Sequence, residues 1–388
     1  MSSPLRGAAA VVGIGQTPLF KRGSAPEPEM KLCLRAIVAA CDDAGLDPRD
    51  VDGFVSYGSE RHEGQKLMPA LGTRELRFGA LVWAHGGGIP GALGLAASAI
   101  ATDQAEVVVV YRSLAENAGA RLRVAVAQDD TAAQYLVNGI DGPVQICALR
   151  TQRMLEADGI PATTLFALAR AAYHHAQRNP AAVAYGKPFD ETVYEQSRWV
   201  AEPYRLHDCS RENDGAAAVI LTSADRAADL VDRPAYVLAA PTGAAGGWGP
   251  LEENHRPYSS AGFEAVARRL WRESGYGPAD VDAAQIYENA TGMGVAALLD
   301  HGFCTPEEAG AFITFENLIA PGGRLPVNTS GGNLAEGFLH GMTLVTEAVR
   351  QIRGTSTNQV PGADLSLMTG GPGDSVVSSA LLGSAATL

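Results

Sequence analysis

The sequence predicts an α/β protein made of two copies of one structural unit. Residues 44–52 read AGLDPRDVD and residues 274–282 read SGYGPADVD, so a glycine, a proline and an Asp-Val-Asp ending recur about 230 positions apart. Each copy follows an amphipathic helical pattern and precedes an apolar run that ends at Tyr57 or Tyr287. Because ligand pockets form preferentially between domains, we expect the functional site where the two copies meet.

The length of the chain fits two α/β halves, because single hydrophobic cores stop growing at roughly 250–300 residues. We predict an N-terminal half at 1–230, with a helical insertion at about 114–205 that covers a site or an oligomer interface, and a C-terminal half at 231–388. The chain has no signal-peptide pattern and no apolar run near the roughly 20 residues that span a bilayer. We therefore expect a soluble, cytoplasmic protein.

Charge and motif content argue against several functions. A formal net charge of -13 disfavours nonspecific nucleic-acid binding. The five cysteines are scattered without a CxxC pair, and the histidines lack HxxxH spacing, so we predict no disulfide framework and no metal site. A Walker loop and a GxGxxG motif after the first strand are both missing, which disfavours nucleotide hydrolysis and dinucleotide chemistry.

The first half alternates strand and helix signals. The apolar run 8–15 ends in a glycine and predicts a buried strand, and helical spacing over 30–44, stopped by Gly45, predicts a helix. The other elements predicted here are a strand at 54–57, a helix at 91–102 after a glycine turn, a buried strand of the parallel-sheet type at 105–111 and a strand at 215–222.

The second half repeats the alternation. Its predicted elements are a strand at 235–240, a helix at 262–274, a strand at 283–287, a helix at 333–353, and strands at 364–369 and 376–382. Each half also contains a strand that runs into a glycine turn and then a helix, at 83–88 (WAHGGG) and at 327–332 (VNTSGG). We expect the chemistry at these two turns.

Several of these segments resemble a known family. The first glycine turn with its helix, YENA at 287–290, LPVNTSGG at 325–332 and MTGG at 368–371 resemble, in order and spacing, the four active-site loops of the thiolase superfamily. AEPYRLHDC at 201–209 and NDGAAAV at 213–219 are similar to the sterol carrier protein x branch. The resemblance covers nearly the whole chain and implies a thiolase-like fold, with two duplicated α/β halves in a layered αβαβα arrangement.

The chain departs from this family at its catalytic positions. The nucleophilic cysteine of the family falls here on Gly88, and the histidine of its Gly-His-Pro loop falls on Phe338. The second cysteine falls at about Met368 or Thr369. Covalent thiolysis needs a thiolate activated by a base, so we do not expect ordinary thiolase activity.

The bacterial lipid-transfer-protein-type aldolases of steroid side-chain degradation resemble this chain further, because they lack the cysteine and have a tyrosine where Tyr287 lies. This resemblance implies retro-aldol cleavage of a β-hydroxyacyl-CoA to a carbonyl product and a shorter acyl-CoA. It also implies a small OB-fold acyl-CoA-binding partner, with a coenzyme A thioester as substrate and no bound cofactor. For such an aldolase subunit we expect a homodimer formed through the sheet edge. The second tyrosine of the steroid enzymes falls near Phe338 here, which leaves the steroid substrate open.

Retro-aldol chemistry needs a base for the β-hydroxyl, donors for the enolate oxygen and an acid for the enolate carbon. Tyr287 is the candidate base and His340 the candidate acid. The backbone N–H groups of Gly88, Gly370 and Gly371 are candidates for an oxyanion hole, because glycine allows close approach and the turn at Gly88 begins a helix.

Each candidate also has a structural alternative. Tyr287 could instead be a buried strand-end tyrosine that packs the core, since Tyr57 occupies the equivalent place in the other copy. On a helix, His340 would point about 200° away from the position of Phe338. The candidate pocket residues are His85, Glu288, Asn328 and Phe338. Of these, Glu288 could bind a backbone amide instead, and Asn328 could hold the turn or bind water.

A basic cluster and two cysteines complete the candidates. His174, His175 and Arg178 could contact CoA phosphates or form a solvated helix face. Two other functions stay open: a non-catalytic thiolase-like scaffold that binds acyl-CoA, and an acyltransferase or condensing enzyme with Cys209 or Cys304 as nucleophile.

Overall fold

The computed structural model of the protein describes residues 3–84, 86–115, 130–247 and 255–388. Its strands are β1 (Ala9–Gln16), β2 (Phe20–Lys21), β3 (Gly53–Tyr57), β4 (Phe78–Val82), β5 (Val108–Leu114), β6 (Trp199–Ala201), β7 (Tyr204–Arg205), β8 (Asn213–Ser223), β9 (Ala235–Ala239), β10 (Thr242–Gly243), β11 (Ala283–Gln285), β12 (Leu365–Gly370) and β13 (Val377–Gly383).

The helices connect these strands and cover the sheet. They are α1 (Glu29–Asp43), α2 (Gly64–Leu71), α3 (Gly88–Ala101), α4 (Asp130–Val137), α5 (Pro143–Ala157), α6 (Thr163–Ala176), α7 (Glu191–Glu195), α8 (Ala224–Leu230), α9 (Glu264–Ser274), α10 (Thr291–Asp300), α11 (Ala309–Phe312), α12 (Phe315–Leu318), α13 (Gly332–Ala335) and α14 (Met342–Arg353). Within the described ranges, no helix is both long and apolar enough to cross a membrane.

The order of the strands shows the duplication. The main sheet runs β11-β12-β13-β9-β1-β8-β5-β3-β4. The central strands β9 and β1 pair antiparallel. On each side of this pair, the next two pairings are antiparallel and the third is parallel, through β13, β12 and β11 on one side and β8, β5 and β3 on the other. The sequence repeat therefore corresponds to a repeat of structure, with β4 added on one side. The division of the chain at 1–230 and 231–388 stays a prediction.

The repeated Asp-Val-Asp ending has a structural reason. The carboxylate of Asp52 accepts hydrogen bonds from the backbone N–H groups of Glu106 and Val107, just before β5. Asp282 does the same for Asp364 and Leu365, at the start of β12. Each aspartate thus sets the register between two neighbouring parallel strands, because it satisfies the unpaired donors where the second strand begins.

Two helices lie in the centre of the layered arrangement. Helix α3 packs on strands of both halves, and α14 contacts its own strands as well as β1 and β8. Their apolar residues form one core cluster with the inner face of the sheet, including Ile89, Leu93, Val345 and Val349. Helices α1 and α9 cover the outer face in a second cluster. Helix α3 is largely apolar because most of its residues, including its first turn, lie in the interior.

The structure corrects three sequence predictions. The helix predicted at 333–353 is broken into α13 and α14, because Gly337, His340 and Gly341 have positive φ values of 155°, 50° and 86°. The strand predicted at 283–287 ends at Gln285. Strand β5, predicted as a parallel-sheet strand, pairs in parallel with β3 but antiparallel with β8.

The insertion is held to the body of the protein by a buried histidine. His175 on α6 is fully buried, its Nδ1 lies 3.1 Å from the carbonyl oxygen of Asn328, and the N–H of Ala320 donates to its Nε2 at 2.9 Å. Nε2 accepts, so the ring is neutral and Nδ1–H donates. Because His175 is buried, it can neither contact a CoA phosphate nor lie on a solvated helix face. Both predictions made for the basic cluster are therefore wrong for His175. Arg178 is exposed and contacts His174.

Burial lowers the pKa of His175 to about 3. The unfolded chain therefore binds a proton near pH 6.5 that the native ring cannot take, and the free energy of unfolding should fall by up to roughly 1.4 kcal/mol per pH unit below that pH. We expect His175→Gln to be less stable than the wild type at pH 7, with a difference that shrinks at pH 4.5. Denaturant titrations at both pH values measure this, and a difference independent of pH would contradict it.

Candidate active site

The glycine turns predicted from the sequence meet at the N-terminus of α3. Gly371 has φ of 77°, and a β-carbon placed on it would lie only 2.5 Å from Cα of Gly87. Ser378 on β13 holds the turn, because its hydroxyl donates to the carbonyl of Gly87 and accepts from the N–H of Gly91 at 3.0 Å. The backbones of residues 86–88 and 370–371 are therefore in contact, at a helix end whose first N–H groups lack partners within the helix.

Gly88 has no room for a side chain. A β-carbon at this position would overlap Cβ of Tyr57, which ends strand β3 directly behind the turn. The position where the thiolase family has its nucleophile is therefore filled from the neighbouring strand. A cysteine at residue 88 would require a shift of the buried Tyr57.

Tyr287 reaches the same turn from the other half. Its N–H donates to the hydroxyl of Thr369 at 2.9 Å, and a β-carbon on Gly86 would lie 2.6 Å from its phenol oxygen. Burial raises the pKa of Tyr287 well above its ordinary value, and Tyr57 adds to this, whereas the positive charge of Arg112 acts in the opposite direction. The phenol is therefore protonated at neutral pH in the ligand-free protein.

His340 packs against Tyr57 and Phe338. Its ring centroid is 5.0 Å from that of Tyr57 and 4.7 Å from that of Phe338, whose ring in turn lies 5.9 Å from that of Tyr287. The expectation that a helix would turn His340 away is wrong, because His340 lies in the turn between α13 and α14 with φ of 50°. This left-handed backbone brings the ring back toward β3.

Arg112 and Glu60 are buried next to His340, and sequence reasoning missed both. Nε of Arg112 donates to Nδ1 of His340 at 3.3 Å, and its Nη1 lies 2.9 Å from the carboxylate of Glu60. The guanidinium also lies 4.7 Å from the ring centre of Tyr57. The sequence did contain a signal for this ion pair. Arg112 directly follows the apolar run of β5 and so places a charge in a buried strand, and buried charges are almost always paired.

Glu288 and Asn328 lie on the other side of the strand end from these rings. Burial raises the pKa of Glu288 to about 8; its Oε1 accepts from the N–H of Leu334 at 3.4 Å and lies against Gly332. Asn328 uses its side-chain amide on the backbone of Ile286, accepting at 2.7 Å and donating at 3.0 Å. Asn328 therefore holds the turn. His85 lies outside the described residues.

The alternative nucleophiles are poorly suited to attack. Burial raises the pKa of Cys209 to about 12 and that of Cys304 to about 11, so both thiols are protonated at neutral pH. Among the described residues, no group of three or more histidine, cysteine, aspartate or glutamate side chains could hold a metal ion.

Comparison with known proteins identifies the class first. Residues 251–382 match the family model described as thiolase C-terminal domain-like. The solved structure of an Ltp2-ChsH2(DUF35) aldolase superimposes with a TM-score of 0.91 at 36% sequence identity, and the match covers 98% of this chain and 99% of that one. The predicted thiolase-like α/β fold is therefore confirmed.

Two relatives then identify the family. The chain is 38% identical over 379 residues to a 17-hydroxy-3-oxo-4-pregnene-20-carboxyl-CoA lyase of Mycobacterium tuberculosis, covering 95% of this chain and 97% of the relative. It is 36% identical over 381 residues to a steroid side-chain-cleaving aldolase of Thermomonospora curvata, covering 96% and 97%. The chain belongs to this family of thiolase-fold carbon–carbon lyases, as its sequence predicted, and it is not an ordinary thiolase.

The overlap at Gly88 leads to a prediction about stability. Gly88→Ala should destabilise the protein by about 1–3 kcal/mol, because the added methyl group overpacks against Tyr57. Gly79→Ala on the edge strand β4 is the matched control, since a β-carbon there meets nothing within 4 Å. Denaturant unfolding of both variants measures the difference, and equal stabilities would contradict the predicted overlap.

Proposed function

We propose that the protein catalyses retro-aldol cleavage of a β-hydroxyacyl-CoA to a carbonyl product and a shorter acyl-CoA. The observation that carries this proposal is the occupancy of the nucleophile position. Cβ of Tyr57 fills the space of a side chain at Gly88, and the phenol of Tyr287 lies against the same turn. The position expected for a sulfur nucleophile is thus blocked, and a hydroxyl that can exchange protons lies against Gly86 in the same turn, which favours noncovalent bond cleavage.

The proposed steps balance without an oxidant or a second reactant. Once the phenol of Tyr287 has lost its proton to solvent, the phenolate takes the proton of the β-hydroxyl. The Cα–Cβ bond then breaks, and its electron pair forms the enolate of the thioester while the β-carbon becomes a carbonyl. The phenol then returns the proton to Cα. We assign stabilisation of the enolate oxygen to the N–H groups of Gly88, Gly370 and Gly371 at the start of α3, together with His340, because preorganised donors in a buried site stabilise developing charge strongly.

The substrate class follows from the relatives and from the lining of the site. Both relatives have names that describe steroid side-chain chemistry, and one of them acts on a CoA thioester. We propose a CoA thioester with an apolar β-hydroxyacyl group, steroid or related, bound against Phe338, with Glu288 and His85 as further pocket residues. Coenzyme A enters as part of the substrate, and an enzyme that uses CoA thioesters would work in the cytoplasm.

A partner protein is proposed by analogy with the solved relative. That structure contains an aldolase with ChsH2(DUF35), and its aldolase chain matches this chain along nearly its whole length. We propose that this protein likewise binds a small OB-fold protein that carries acyl-CoA.

We also propose a homodimer formed through the sheet edge at β4. Among the strands that the structure describes, β4 is the last on its side of the sheet and is hydrogen-bonded to β3. Leu81 and the adjoining Trp83 are 39% and 81% exposed, next to a groove of about 520 Å³ between β4 and α3. An unpaired edge with exposed apolar side chains is a typical site for strand pairing with a second copy.

Tyr287→Phe tests the activity. We expect cleavage to fall by roughly 10²–10⁴-fold, because the variant removes the proton-exchanging hydroxyl, while the fold and the binding of acyl-CoA are kept. In the wild type the rate should rise with pH above neutrality, since burial keeps most of Tyr287 as phenol. Release of the carbonyl product from a β-hydroxyacyl-CoA provides the assay.

The half-exposed Tyr185 supplies the control, because Tyr185→Phe removes the same hydroxyl far from the turn and should be fully active. A fully active Tyr287→Phe variant would refute the assignment of the base. An inactive wild type that still binds acyl-CoA would favour the scaffold function instead.

Leu81→Lys tests the dimer. A charge in the middle of the proposed strand pairing should shift the protein toward a monomer, since lysine on an edge strand opposes edge-to-edge pairing. Sedimentation velocity compares it with Val38→Lys on the outer helix α1, where the side chain is similarly exposed. A monomeric wild type, or a Leu81→Lys variant that stays dimeric, would contradict this interface.

A further inference from the structure

The hydrogen bond between Arg112 and His340 decides which ring nitrogen carries the proton. Nε of Arg112 donates at 3.3 Å to Nδ1 of His340. A guanidinium has only donors, so Nδ1 must offer a lone pair. The imidazole is then neutral and protonated on Nε2, because a doubly protonated ring would place N–H against N–H and a positive charge against another.

Arg112 is itself held in place from several sides. The carboxylate of Glu60 pairs with its Nη1 at 2.9 Å, and this Nη1 also donates to the carbonyl of Ser113. Glu60 in turn accepts from the N–H of Ser113 at 2.9 Å and from its hydroxyl at 3.0 Å. Arg112 and Glu60 are both buried, so the guanidinium cannot leave the ring without exposing an uncompensated charge to the interior.

Two aromatic rings also pack against His340. Tyr57 from β3 and Phe338 from the turn before α14 meet the ring through their aromatic faces, at centroid distances of 5.0 Å and 4.7 Å. Phe338 in turn packs against Tyr287, at a centroid distance of 5.9 Å. Of the charged residues described here, Arg112 adjoins the ring and Glu60 pairs with Arg112.

We propose that Arg112 is a positioning residue that holds His340 as the neutral tautomer protonated on Nε2, so that His340 donates a hydrogen bond to the thioester oxygen instead of donating a proton. This inference rests on the proposed retro-aldol function and replaces the acid role expected for His340. Proton transfer then belongs to Tyr287 alone. A neutral imidazole suits an enolate oxygen, because its N–H stabilises the negative charge through a hydrogen bond. No imidazolium is left paired with the enolate.

The tautomer is measurable without any assay of activity. In protein with ¹⁵N-labelled histidine, the signals of His340 are assigned by their loss in His340→Gln. At pH 7.5 we expect a protonated Nε2 and an unprotonated Nδ1 for this ring. A protonated Nδ1 would overturn the proposal, whether or not the protein cleaves acyl-CoA.

Variants of Arg112 separate positioning from folding. Because Arg112→Met alone leaves Glu60 buried and unpaired, it is combined with Glu60→Gln, and circular dichroism checks the fold. This double variant should mix the two tautomers and lower kcat by about 10–100-fold, the range found for partners that orient metal-bound histidines, with KM nearly unchanged. Arg112→Lys with Glu60 kept retains a buried side chain that has only donors, and it should keep the single tautomer.

The outcomes are distinguishable. If the folded Met variant keeps a pure Nε2–H tautomer, Arg112 does not position the ring and the proposal is wrong. If the tautomers behave as expected but the wild type cleaves no β-hydroxyacyl-CoA, the proposed function fails while the role of Arg112 stands.

Discussion

The close contact of Tyr57 with Gly88 is the constraint on which the chemistry of this protein depends. Strand β3 ends behind the first turn of α3, and the two backbones approach so closely that only a hydrogen atom fits at residue 88. The packing of the central layer thus excludes a nucleophilic side chain at residue 88. A cysteine at this position would conflict with that packing, which supports the proposed chemistry without an acyl-enzyme.

The duplication explains why two tyrosines lie at this place. Tyr57 and Tyr287 follow the same repeated segment in the two halves, and the pseudo-symmetric sheet brings both strand ends to the start of α3. Their surroundings differ, however. Tyr57 packs under the Arg112 guanidinium, whereas Tyr287 reaches Gly86 across the junction. The two tyrosines occupy equivalent positions of the repeat, but their roles differ. Tyr57 is a supporting residue in one half, and Tyr287 is the candidate catalytic residue in the other.

The sequence predicted much of the fold because its signals are local. Apolar runs and helical spacing indicated β1, α1, β8 and β9 to within a few residues, and the repeated Asp-Val-Asp ending marked the duplication. The prediction of one helix at 333–353 was wrong. The helical spacing of apolar residues continues through Gly337 and His340, but the backbone has positive φ at both residues. The sequence predicted a strand running into the turn at 83–88 but not its bounds, because β4 is short and only half buried and its pattern is weak.

The sequence by itself determined which residue types are available: glycine at 88, tyrosine at 287, phenylalanine at 338 and no thiol in the turns. Only the tertiary structure decided their roles, because those depend on contacts between segments far apart in the chain. The pairing of Arg112 with Glu60 and His340 joins residues up to 228 positions apart, and no periodicity encodes such a distance. A charge in a buried strand indicates that a partner exists, but packing alone selects the partner.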